Sequence, residues 1–434
     1  MKKSLKKFVS AALAIVLALS FASCAKTGDD ENSNTTQDTS ENATLSDAEL
    51  KAVKEKEIRG IWMSFSEIGA MIKANKTEKS FTNTLDESFK KIKDAGYNTV
   101  FFHVRAYSDA FYNSSIFPSC SYFTGKQGGK APYDPLKIAC SLADKYSLKI
   151  EAWINPYRIS TSQDLNKVAD SSPAKKWLCD DDKSNDTWVM KVNGGGMYYN
   201  PAVDECINLI VNGIKEIVDN YDVDGIHFDD YFYPVADAYI DQTEYKKYTD
   251  GGGTLTLEQW RRENVSKLVK RTYETVKGKD KSLLFGISPD ASINKNYDTL
   301  FADVEKWAGE NGYLDYICPQ IYFGFDSLKM PFVSTVKKWQ SLVRESNVKL
   351  YIGLGLYKSG EYDKFAQSPE NPEDKQSPGY EFVNNCDIMS RQIKYIRNLP
   401  EYDGFAVYSY SYMFNGKNEN VKKEAQGIIS MMKN

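Results

Sequence analysis

A short run containing two adjacent carboxylates is the clearest chemical signal in this sequence. Residues 224–230 read Asp-Gly-Ile-His-Phe-Asp-Asp, and the alternation of apolar and polar side chains predicts a β-strand. If Ile226 and Phe228 face a layer of helices, His227 and Asp229 point to the opposite side, with Asp229 at the strand's end. A carboxylate there can attack or stabilise an anomeric carbon, as a glycosidase requires. We therefore predict Asp229 as the principal catalytic carboxylate.

Four other carboxyl groups are considered for the second acid. Asp230 adjoins Asp229 but has outward parity, so either a structural or a catalytic role remains open. Asp290 follows the fifth predicted strand and ranks first, because it can reach across a shared opening. Asp326 lies in the loop after the sixth strand. Glu151 points inward but lies deeper in its strand, which favours a buried structural role.

Further polar side chains fall at the ends of other predicted strands. Barrel interiors are mostly filled with branched apolar residues, so this number of polar strand-end residues indicates a site. Each residue alone could instead be a hydrogen-bonded core group, but together with His227 we interpret them as groups that bind sugar hydroxyls. The set comprises His103, Arg105, Trp153, Asn155, Ser288, Gln320, Tyr322 and Ser409.

The elements that must position these residues alternate between strands and helices. Eight β-then-α units predict a parallel sheet, and eight strands close a (β/α)8 TIM barrel. A doubly wound open sheet is the alternative, but no Gly-x-Gly-x-x-Gly follows the first strand. Long segments after the second, third and fourth strands are expected to build a substrate cleft. The predicted strands span residues 58–65, 99–105, 149–155, 224–230, 284–288, 314–322, 350–356 and 404–409.

The amino-terminal residues predict export and anchoring. A basic start and a short apolar run, residues 8–22, are typical of a signal peptide spanning residues 1–23. Phe-Ala-Ser before Cys24 is close to a bacterial lipobox, so we expect Cys24 to carry the lipid; a plain cleaved signal peptide is the alternative. Residues 24–55 are polar and predict a disordered tether, and residues 56–434 the barrel. The protein is then anchored in the cell membrane and faces outward.

The amino-acid composition limits the classes of ligand and partner that the protein is expected to bind. A net charge of -4 without a basic stripe argues against nucleic acid, while 29 Tyr, 21 Phe and 7 Trp suit a sugar-binding surface. With two His and no Cys-x-x-Cys pair, we expect no metal and no cofactor; a structural Ca²⁺ at residues 180–182 is the alternative. Cys140, Cys206 and Cys318 lie in apolar segments and are expected to be buried thiols. We expect a monomer.

Seven runs in chain order resemble the glycosyl-hydrolase-like family ten of bacterial, often lipid-anchored, barrel proteins. The resemblance covers about residues 57–412 and implies a TIM barrel with glycosidase-type activity, which in some members acts on peptidoglycan strands without peptides. It matches Asp229 to the family's fourth-strand Asp and adds Arg158 as a substrate-binding residue. Asp290-Ala291 departs from the aromatic-glycine stretch expected there. The runs begin at Arg59, Phe102, Ala152, Asp224, Trp260, Gly286 and Pro319.

Together these features predict a glycoside hydrolase acting on a cell-envelope or extracellular glycan. A non-catalytic glycan-binding lipoprotein on a degenerate barrel is the first alternative, because it needs no carboxylate pair. A transglycosylase is the second, because it would use the same residues and differ in how water is excluded. The distance between the two carboxyl groups, about 5 Å for retention and about 6.5–9.5 Å for inversion, decides the stereochemistry.

The lipid anchor can be tested at Cys24. Because acylation requires the thiol, Cys24→Ala should move the protein from the detergent phase to the aqueous phase in Triton X-114 partitioning. Replacing the nearby Ser23 by Ala, which keeps a small residue before the Cys, serves as the control. Unchanged detergent partitioning of Cys24→Ala would rule out lipidation at this residue.

Overall fold

The fold is a closed barrel of eight parallel strands surrounded by helices, as predicted. The computed structural model describes residues 45–235, 237, 239–344, 346–366 and 373–433. Around the barrel the strands follow the order β1-β2-β3-β7-β8-β9-β10-β11, and β11 pairs with β1 to close it. The barrel strands are β1 (Ile58–Met63), β2 (Thr99–Arg105), β3 (Lys149–Ile154), β7 (Gly225–Phe228), β8 (Leu284–Ile287), β9 (Tyr316–Ile317), β10 (Lys349–Gly355) and β11 (Tyr402–Tyr408).

A small antiparallel sheet lies outside the barrel and was not predicted. It occupies the long segment after β3 and has the strand order β4-β6-β5, with β4 (Arg158–Ser160), β5 (Val189–Lys191) and β6 (Met197–Tyr199). The segment after β2 contains an isolated bridge between Ala110 and Ser119. The long connections predicted after the second and third strands are therefore ordered by their own hydrogen bonds.

Helices cover the outside of the barrel, and the longer ones bury one face against it. In α3, Phe81, Leu85, Phe89 and Ile92 recur at helical spacing and are fully buried, and Gly96 ends the helix with a φ of 101°. The α-helices are α1 (Asp47–Lys56), α2 (Phe65–Ala74), α3 (Glu78–Ala95), α4 (Pro135–Lys145), α5 (Pro173–Cys179), α6 (Asp204–Asn220), α7 (Gln242–Asp250), α8 (Leu257–Lys279), α9 (Ile293–Asp298), α10 (Val304–Gly309), α11 (Phe332–Val343), α12 (Glu381–Asn384), α13 (Ile388–Ile396), α14 (Tyr410–Asn415) and α15 (Glu419–Lys433).

Helix α1 corrects the predicted tether. Its residues fall in the stretch assigned to a disordered tether, but Ser46 and Glu49 form a reciprocal capping box that starts a helix. None of its residues is buried, which explains why hydrophobic periodicity did not reveal it. The predicted signal peptide, Cys24 and tether residues 24–44 lie outside the described residues. Across the described ranges, no helix has the length and apolar character needed to cross a membrane.

The barrel interior is aromatic. Trp62, Phe101, Trp153, Tyr316 and Tyr351 form a cluster inside the strands, separate from the aliphatic core between strands and helices. Glycines in the strands make room for these rings, since a Cβ at Gly286 would lie 2.1 Å from the Tyr316 ring and one at Gly60 2.6 Å from Phe101. The large rings of the interior therefore fit only where the neighbouring strands have a glycine.

The predicted cysteine environments are confirmed for three thiols. Cys140, Cys206 and Cys318 are buried, and all six cysteines in the described residues are free thiols. The segment considered for Ca²⁺ uses its carboxylates within the loop, because Asp180 accepts a hydrogen bond from the backbone N–H of Asp182 and Asp182 accepts one from Ser184.

A buried ion pair joins the segments next to the first and last strands of the barrel. The guanidinium of Arg397, after α13, donates to both carboxylate oxygens of Glu57, before β1, at 3.0 and 2.6 Å. Tyr402, at the start of β11, donates its hydroxyl to the same carboxylate at 2.8 Å. Arg397 also donates to the backbone carbonyl of Met431 in α15. The first and last strands are therefore tied to the final helix through one carboxylate.

This pair predicts a large stability effect. Arg397→Met would remove both hydrogen bonds that the guanidinium donates to the buried Glu57 carboxylate and leave Arg59, 3.6 Å away, as its remaining cation. Loss of one partner of a buried ion pair typically costs about 3–5 kcal/mol. We expect the free energy of unfolding, measured by urea denaturation, to fall by that amount and to recover partly in the double variant with Glu57→Gln.

The exposed Lys90–Asp94 pair on α3 provides the control. Lys90→Ala should leave the urea midpoint unchanged, because exposed pairs contribute little. A urea midpoint for Arg397→Met equal to that of the parent would show that the buried pair does not stabilise the closure between the first and last strands.

Candidate active site

A cavity of about 230 Å³ opens at the carboxyl ends of the barrel strands. In TIM barrels this end carries the chemistry, because the loops after the strands converge there. Its walls combine carboxylates, aromatic rings and a few neutral polar groups. The lining residues are Trp62, Ser64, Phe65, His103, Trp153, Asn155, Arg158, Asp229, Asp230, Tyr231, Ser288, Gln320, Tyr322, Tyr357 and Tyr408.

Asp229 lies at the end of β7 with its carboxyl held in place from two sides. The indole N–H of Trp153 donates to Oδ2 at 3.2 Å, and the backbone N–H of Tyr231 donates to Oδ1 at 3.2 Å. Only 3% of Asp229 is exposed. Burial, with the charge of Asp230, raises the pKa of Asp229 well above its usual value, although Arg158 opposes the shift. The predicted inward orientation of Asp229 is what the structure shows.

Asp230 also lines the cavity, contrary to the outward parity expected from the strand pattern. Strand β7 ends at Phe228, so residues after it leave the ladder and the alternation no longer applies. Burial, followed by the charge of Asp290, raises the pKa of Asp230. Two carboxyl groups with raised pKa values therefore share one cavity, an arrangement in which one can hold a proton while the other is ionised.

Asp290, the residue ranked first as the second acid, does not line this cavity. Its Oδ2 accepts from the Lys295 ammonium at 2.5 Å, and its Oδ1 accepts from the backbone N–H of Ser292 at 2.8 Å. Both oxygens are thus engaged in organising the start of α9. Asp230, not Asp290, is the carboxyl group beside Asp229, and the ranking is corrected accordingly.

Several predicted substrate-binding residues meet around the two carboxyl groups. The His103 ring stacks on Trp153 with centroids 3.7 Å apart. Burial lowers the pKa of His103 well below its usual value, so the ring is neutral. Within the described residues, neither ring nitrogen of His103 nor Oδ1 of Asn155 makes a hydrogen bond of full geometry, although these atoms are buried and the Asn155 side chain lies close enough to His103 to oppose the lowering of its pKa. Such atoms are suited to the hydroxyl groups of a ligand.

Arg158 and the residues from β9 complete the wall. The Arg158 guanidinium lies 4.1 Å from the ring centroid of Tyr231 and 4.7 Å from that of Tyr107, so two aromatic faces fix its position. Gln320 donates through Nε2 to the carbonyl of Ser288 at 2.8 Å, which links the ends of two neighbouring strands. The placement of Arg158, Gln320 and Tyr322 on the cavity agrees with the sequence prediction.

Three predicted residues lie elsewhere. The β2–β3 register shifts between His103 and Arg105, and this bulge turns Arg105 outward, where its guanidinium lies 4.3 Å from the Phe117 ring centroid. Ser409 has the parity opposite to the inward Ala406, and its hydroxyl donates to Glu67 at 2.8 Å. His227 does point inward but lies below the cavity, with both ring nitrogens already hydrogen-bonded.

His227 forms part of a hydrogen-bonded chain beneath the cavity. Trp62 donates its indole N–H to Nε2 at 3.1 Å, so the proton of the neutral ring is on Nδ1, which lies 2.7 Å from the Tyr316 hydroxyl. Tyr316 in turn donates to Glu151 at 2.6 Å. Burial lowers the pKa of His227 to about 3 and raises that of Glu151 to about 8. The chain supports Trp62 from below, and Glu151 has the buried structural position predicted for it.

Five aromatic residues on the cavity wall were not predicted from the sequence. Trp62 is the last residue but one of β1 and Tyr408 is the last of β11, while Phe65 begins α2, and Tyr231 and Tyr357 lie in the segments after β7 and β10. Inward parity on β11, counted from Ala406, identifies Tyr408 and would have avoided the choice of Ser409. Tyr231 and Tyr357 lie beyond the strands, where alternation gives no signal.

A (β/α)8 barrel whose strand ends hold paired buried carboxyl groups among aromatic rings has the architecture of the glycoside hydrolase class. The chain belongs to the family described as "Glycosyl hydrolase-like 10", which matches residues 57–368. This membership confirms the family resemblance drawn from the sequence runs.

Two glycosyl hydrolases are similar to this chain over most of its length. The "Glycosyl hydrolase YngK" of Bacillus subtilis (strain 168) is 34% identical over 347 residues, covering 74% of this chain and 64% of the relative. The chain therefore spans less than two thirds of that relative's length. The "Glycosyl hydrolase DigH" of Escherichia coli (strain K12) is 29% identical over 387 residues, covering 82% of this chain and 83% of the relative.

Solved structures share the barrel at low sequence identity. The PgaB (BpsB) glycoside hydrolase domain from Bordetella bronchiseptica superimposes with a TM-score of 0.56 at 12% identity, covering 87% of this chain and 99% of that domain. The catalytic domain of β-amylase from Paenibacillus polymyxa gives a TM-score of 0.52 at 10% identity, covering the same 87% and 99%. At such identities the likeness concerns the fold alone.

The coupling between the two carboxyl groups can be measured without substrate. Because the negative charge of Asp230 disfavours ionisation of Asp229, Asp230→Asn should lower the pKa of Asp229. The indole N–H of Trp153 donates to Asp229, so its NMR resonance should report this ionisation, with a midpoint at lower pH in the variant.

The indole of Trp339 supplies an internal control, because it donates to the backbone carbonyl of Ala291 and should not titrate with Asp229. An identical Trp153 midpoint in the parent and in Asp230→Asn would show that the two carboxyl groups do not interact.

Proposed function

We propose that this protein is a glycoside hydrolase that cleaves O-glycosidic bonds in a cell-envelope or extracellular glycan. The observation that carries the proposal is the pair Asp229 and Asp230, two carboxyl groups with raised pKa values in one buried cavity at the strand ends. Glycosidases need one carboxyl group that holds a proton and one that is ionised. Family membership and the barrel fold support the same class of activity.

The two carboxyl groups have complementary tasks in this proposal. Asp229 is the principal carboxylate, which attacks the anomeric carbon or activates a water molecule, since Trp153 and the Tyr231 backbone N–H hold its ionised form in one orientation. Asp230, whose pKa burial also raises, is the proton donor to the leaving oxygen. This division of roles rests on the hydrogen bonds that orient Asp229, since burial raises the pKa of both groups and that of Asp229 more strongly.

The sugar at the cleavage site would be held by neutral groups and ring faces. Asn155 Oδ1 accepts a hydrogen bond from one of its hydroxyl groups, and the neutral His103 ring can donate one and accept one through its two nitrogens. These atoms are buried in the cavity and make no hydrogen bond of full geometry within the described residues. Trp62 and Tyr408 cover its apolar faces. Arg158, fixed between two aromatic rings, adds a cation that stabilises the ionised Asp229.

We further propose that the substrate is a peptidoglycan glycan strand and that the protein acts on the outer side of the cell membrane. Support comes from the amino-terminal residues, in which a basic start, an apolar run and Cys24 are typical of an exported lipoprotein. A tether placed before the barrel would let the cavity reach the cell-envelope polymer. The barrel itself acts as a monomer.

A non-catalytic glycan-binding role is the second candidate. The raised pKa of Asp229 favours it, because a carboxyl group that stays protonated binds a hydroxyl group but does not attack carbon. A transglycosylase would use the same groups and differ only in whether a sugar hydroxyl or water completes the reaction. Product analysis separates these activities.

The central test is Asp229→Asn. The change keeps the volume and removes the charge, so it should lower turnover on peptide-free glycan strands by at least about 10²-fold. Binding should persist and the melting temperature should not fall, because a buried carboxyl group with a raised pKa does not stabilise the fold as an ion. Released reducing ends and calorimetry measure these quantities.

Asp230→Asn and Asp326→Asn complete the set. We expect Asp230→Asn to lose turnover as well, because Asp230 lines the cavity, and Asp326→Asn to match the parent, because that exposed carboxylate is outside it. If Asp229→Asn cleaves as fast as the parent, β7 is not the catalytic strand and the binding role replaces the hydrolase.

A further inference from the structure

A second, larger cavity adjoins the catalytic one. Its volume is about 640 Å³, against about 230 Å³ for the cavity that contains Asp229. Ligand sites commonly measure about 300–1,000 Å³, so the catalytic cavity alone is small and the neighbouring one is of ordinary size. Gln320, Tyr322 and Tyr357 line both. The two cavities therefore lie side by side and share these three side chains.

Aromatic side chains dominate one side of this second cavity, which we name the aromatic groove. It is lined by Tyr322, Phe323, Tyr357, Tyr362 and Phe365. Phe365 is 55% exposed and Tyr362 36% exposed, although large apolar rings are usually covered. Exposed rings in a concave surface next to a site indicate binding of a ligand with apolar faces.

The groove is held rigid by contacts behind the rings. The buried Lys358 forms an ion pair with Asp363 at 2.8 Å, and its ammonium lies 5.4 Å from the Phe323 ring centroid and 5.8 Å from that of Phe365. The Tyr362 ring packs edge-to-face on Tyr380 with centroids 4.9 Å apart.

Backbone hydrogen bonds hold the same segment. Asp363 donates its N–H to the carbonyl of Gly379, Leu328 donates to that of Ala366, and Phe365 donates to the Asp363 carboxylate. A binding surface ordered in advance costs little conformational entropy when a ligand stacks on it.

We propose that the aromatic groove binds the sugar units next to the bond being cleaved, so that the protein selects glycan chains over short fragments. The inference rests on the proposed function and deepens it by assigning the occupant. Pyranose rings present apolar C–H faces that stack on aromatic rings, while their hydroxyl groups remain at the edges. Adjacency to the catalytic cavity, with three lining residues in common, points to a further part of the same glycan chain as the occupant.

The position of the aromatic groove also predicts the direction in which the glycan chain runs from the catalytic cavity. It extends from Tyr322 and Tyr357, past the ends of β9 and β10, and away from Asp229 and Trp153 on β7 and β3. Sugar units on that side of the reacting ring would contact Tyr357 first and Phe365 last. A fragment that fills only the catalytic cavity would not reach Phe365, so length selectivity should depend on that ring.

The experiment compares affinities for a long and a short glycan. Isothermal titration calorimetry with peptide-free peptidoglycan strands and with their disaccharide unit, both on an Asp229→Asn background to prevent cleavage, gives the ratio of the two affinities. Adding Phe365→Ala or Tyr362→Ala should lower this ratio by about 2- to 10-fold for each ring removed. Both rings are exposed, so the variants should fold; circular dichroism checks this.

Tyr297→Ala is the matched control. Tyr297 is 37% exposed, close to the value for Tyr362, but it packs on Arg262 and lines neither cavity. Its removal should leave the ratio unchanged. An affinity that does not rise with chain length, or a ratio that Phe365→Ala leaves intact, would overturn the groove proposal.

The outcome is separable from that of the proposed function. If the parent does not release reducing ends but Phe365→Ala still lowers the length selectivity of binding, the groove stands as a glycan-binding surface and the hydrolase fails. If the parent cleaves strands while the ratio is the same in all groove variants, the hydrolase stands and the groove proposal fails.

Discussion

A chain of hydrogen bonds through the barrel interior links Glu151, Tyr316, His227 and Trp62. Each polar atom of these large side chains must find a partner, because burial without one costs on the order of 1–3 kcal/mol. Trp62 can only donate through its indole N–H, so it fixes His227 as the acceptor and determines the direction of the chain. The position of Trp62, which forms part of the cavity floor, therefore depends on residues well below the cavity.

The same interior constrains the sequence around it. Tyr316 and Phe101 fit only because Gly286 and Gly60 lack side chains. A barrel packed with branched aliphatic residues would need no such glycines and would offer no hydrogen-bonding layer under its mouth. The aromatic interior packs less simply, but it gives the cavity a floor whose side chains have fixed orientations. At this level Trp153 and His103 stack on each other, and the indole N–H of Trp153 holds Asp229. Preorganisation of this kind is what a reacting carboxylate requires.

Sequence reasoning succeeded where alternation in a strand continues and failed where it stops. The eight barrel strands and the inward positions of Asp229, Trp153 and Gln320 follow from parity. Parity misled at Arg105, because one bulge reverses the alternation, and at Asp230, because β7 ends two residues earlier. Nothing in a single sequence reports a bulge or the last residue of a strand reliably.

The groove and the second carboxyl group depend on tertiary structure more strongly still. Phe365 and Tyr362 lie in an irregular segment with no period, and only the contacts of Lys358 with Asp363 and two rings turn that segment into a surface. Asp290 satisfied the sequence criteria for an acid, yet Lys295 and a backbone N–H occupy its oxygens. A residue type at a strand end indicates a candidate, whereas its hydrogen-bond partners decide its role.

For these two carboxyl groups, the ionisation state that stabilises the fold differs from the one that catalysis requires. A native pKa raised above the unfolded value means that the native state binds the proton more tightly, so stability falls as the pH rises through the native pKa. For Asp229 and Asp230, burial is the first cause of the raised pKa and a neighbouring carboxylate the second. The ionised form needed for attack on an anomeric carbon is thus the form that the fold disfavours. Arg158 and the indole of Trp153 reduce this cost for Asp229, and Lys295 and the side chain of Gln320 reduce it for Asp230. Each carboxyl group thus has a cation and a hydrogen-bond donor that oppose the effect of burial. The repulsion between the two groups favours the state in which one is ionised while the other keeps its proton, as a nucleophile and a proton donor require.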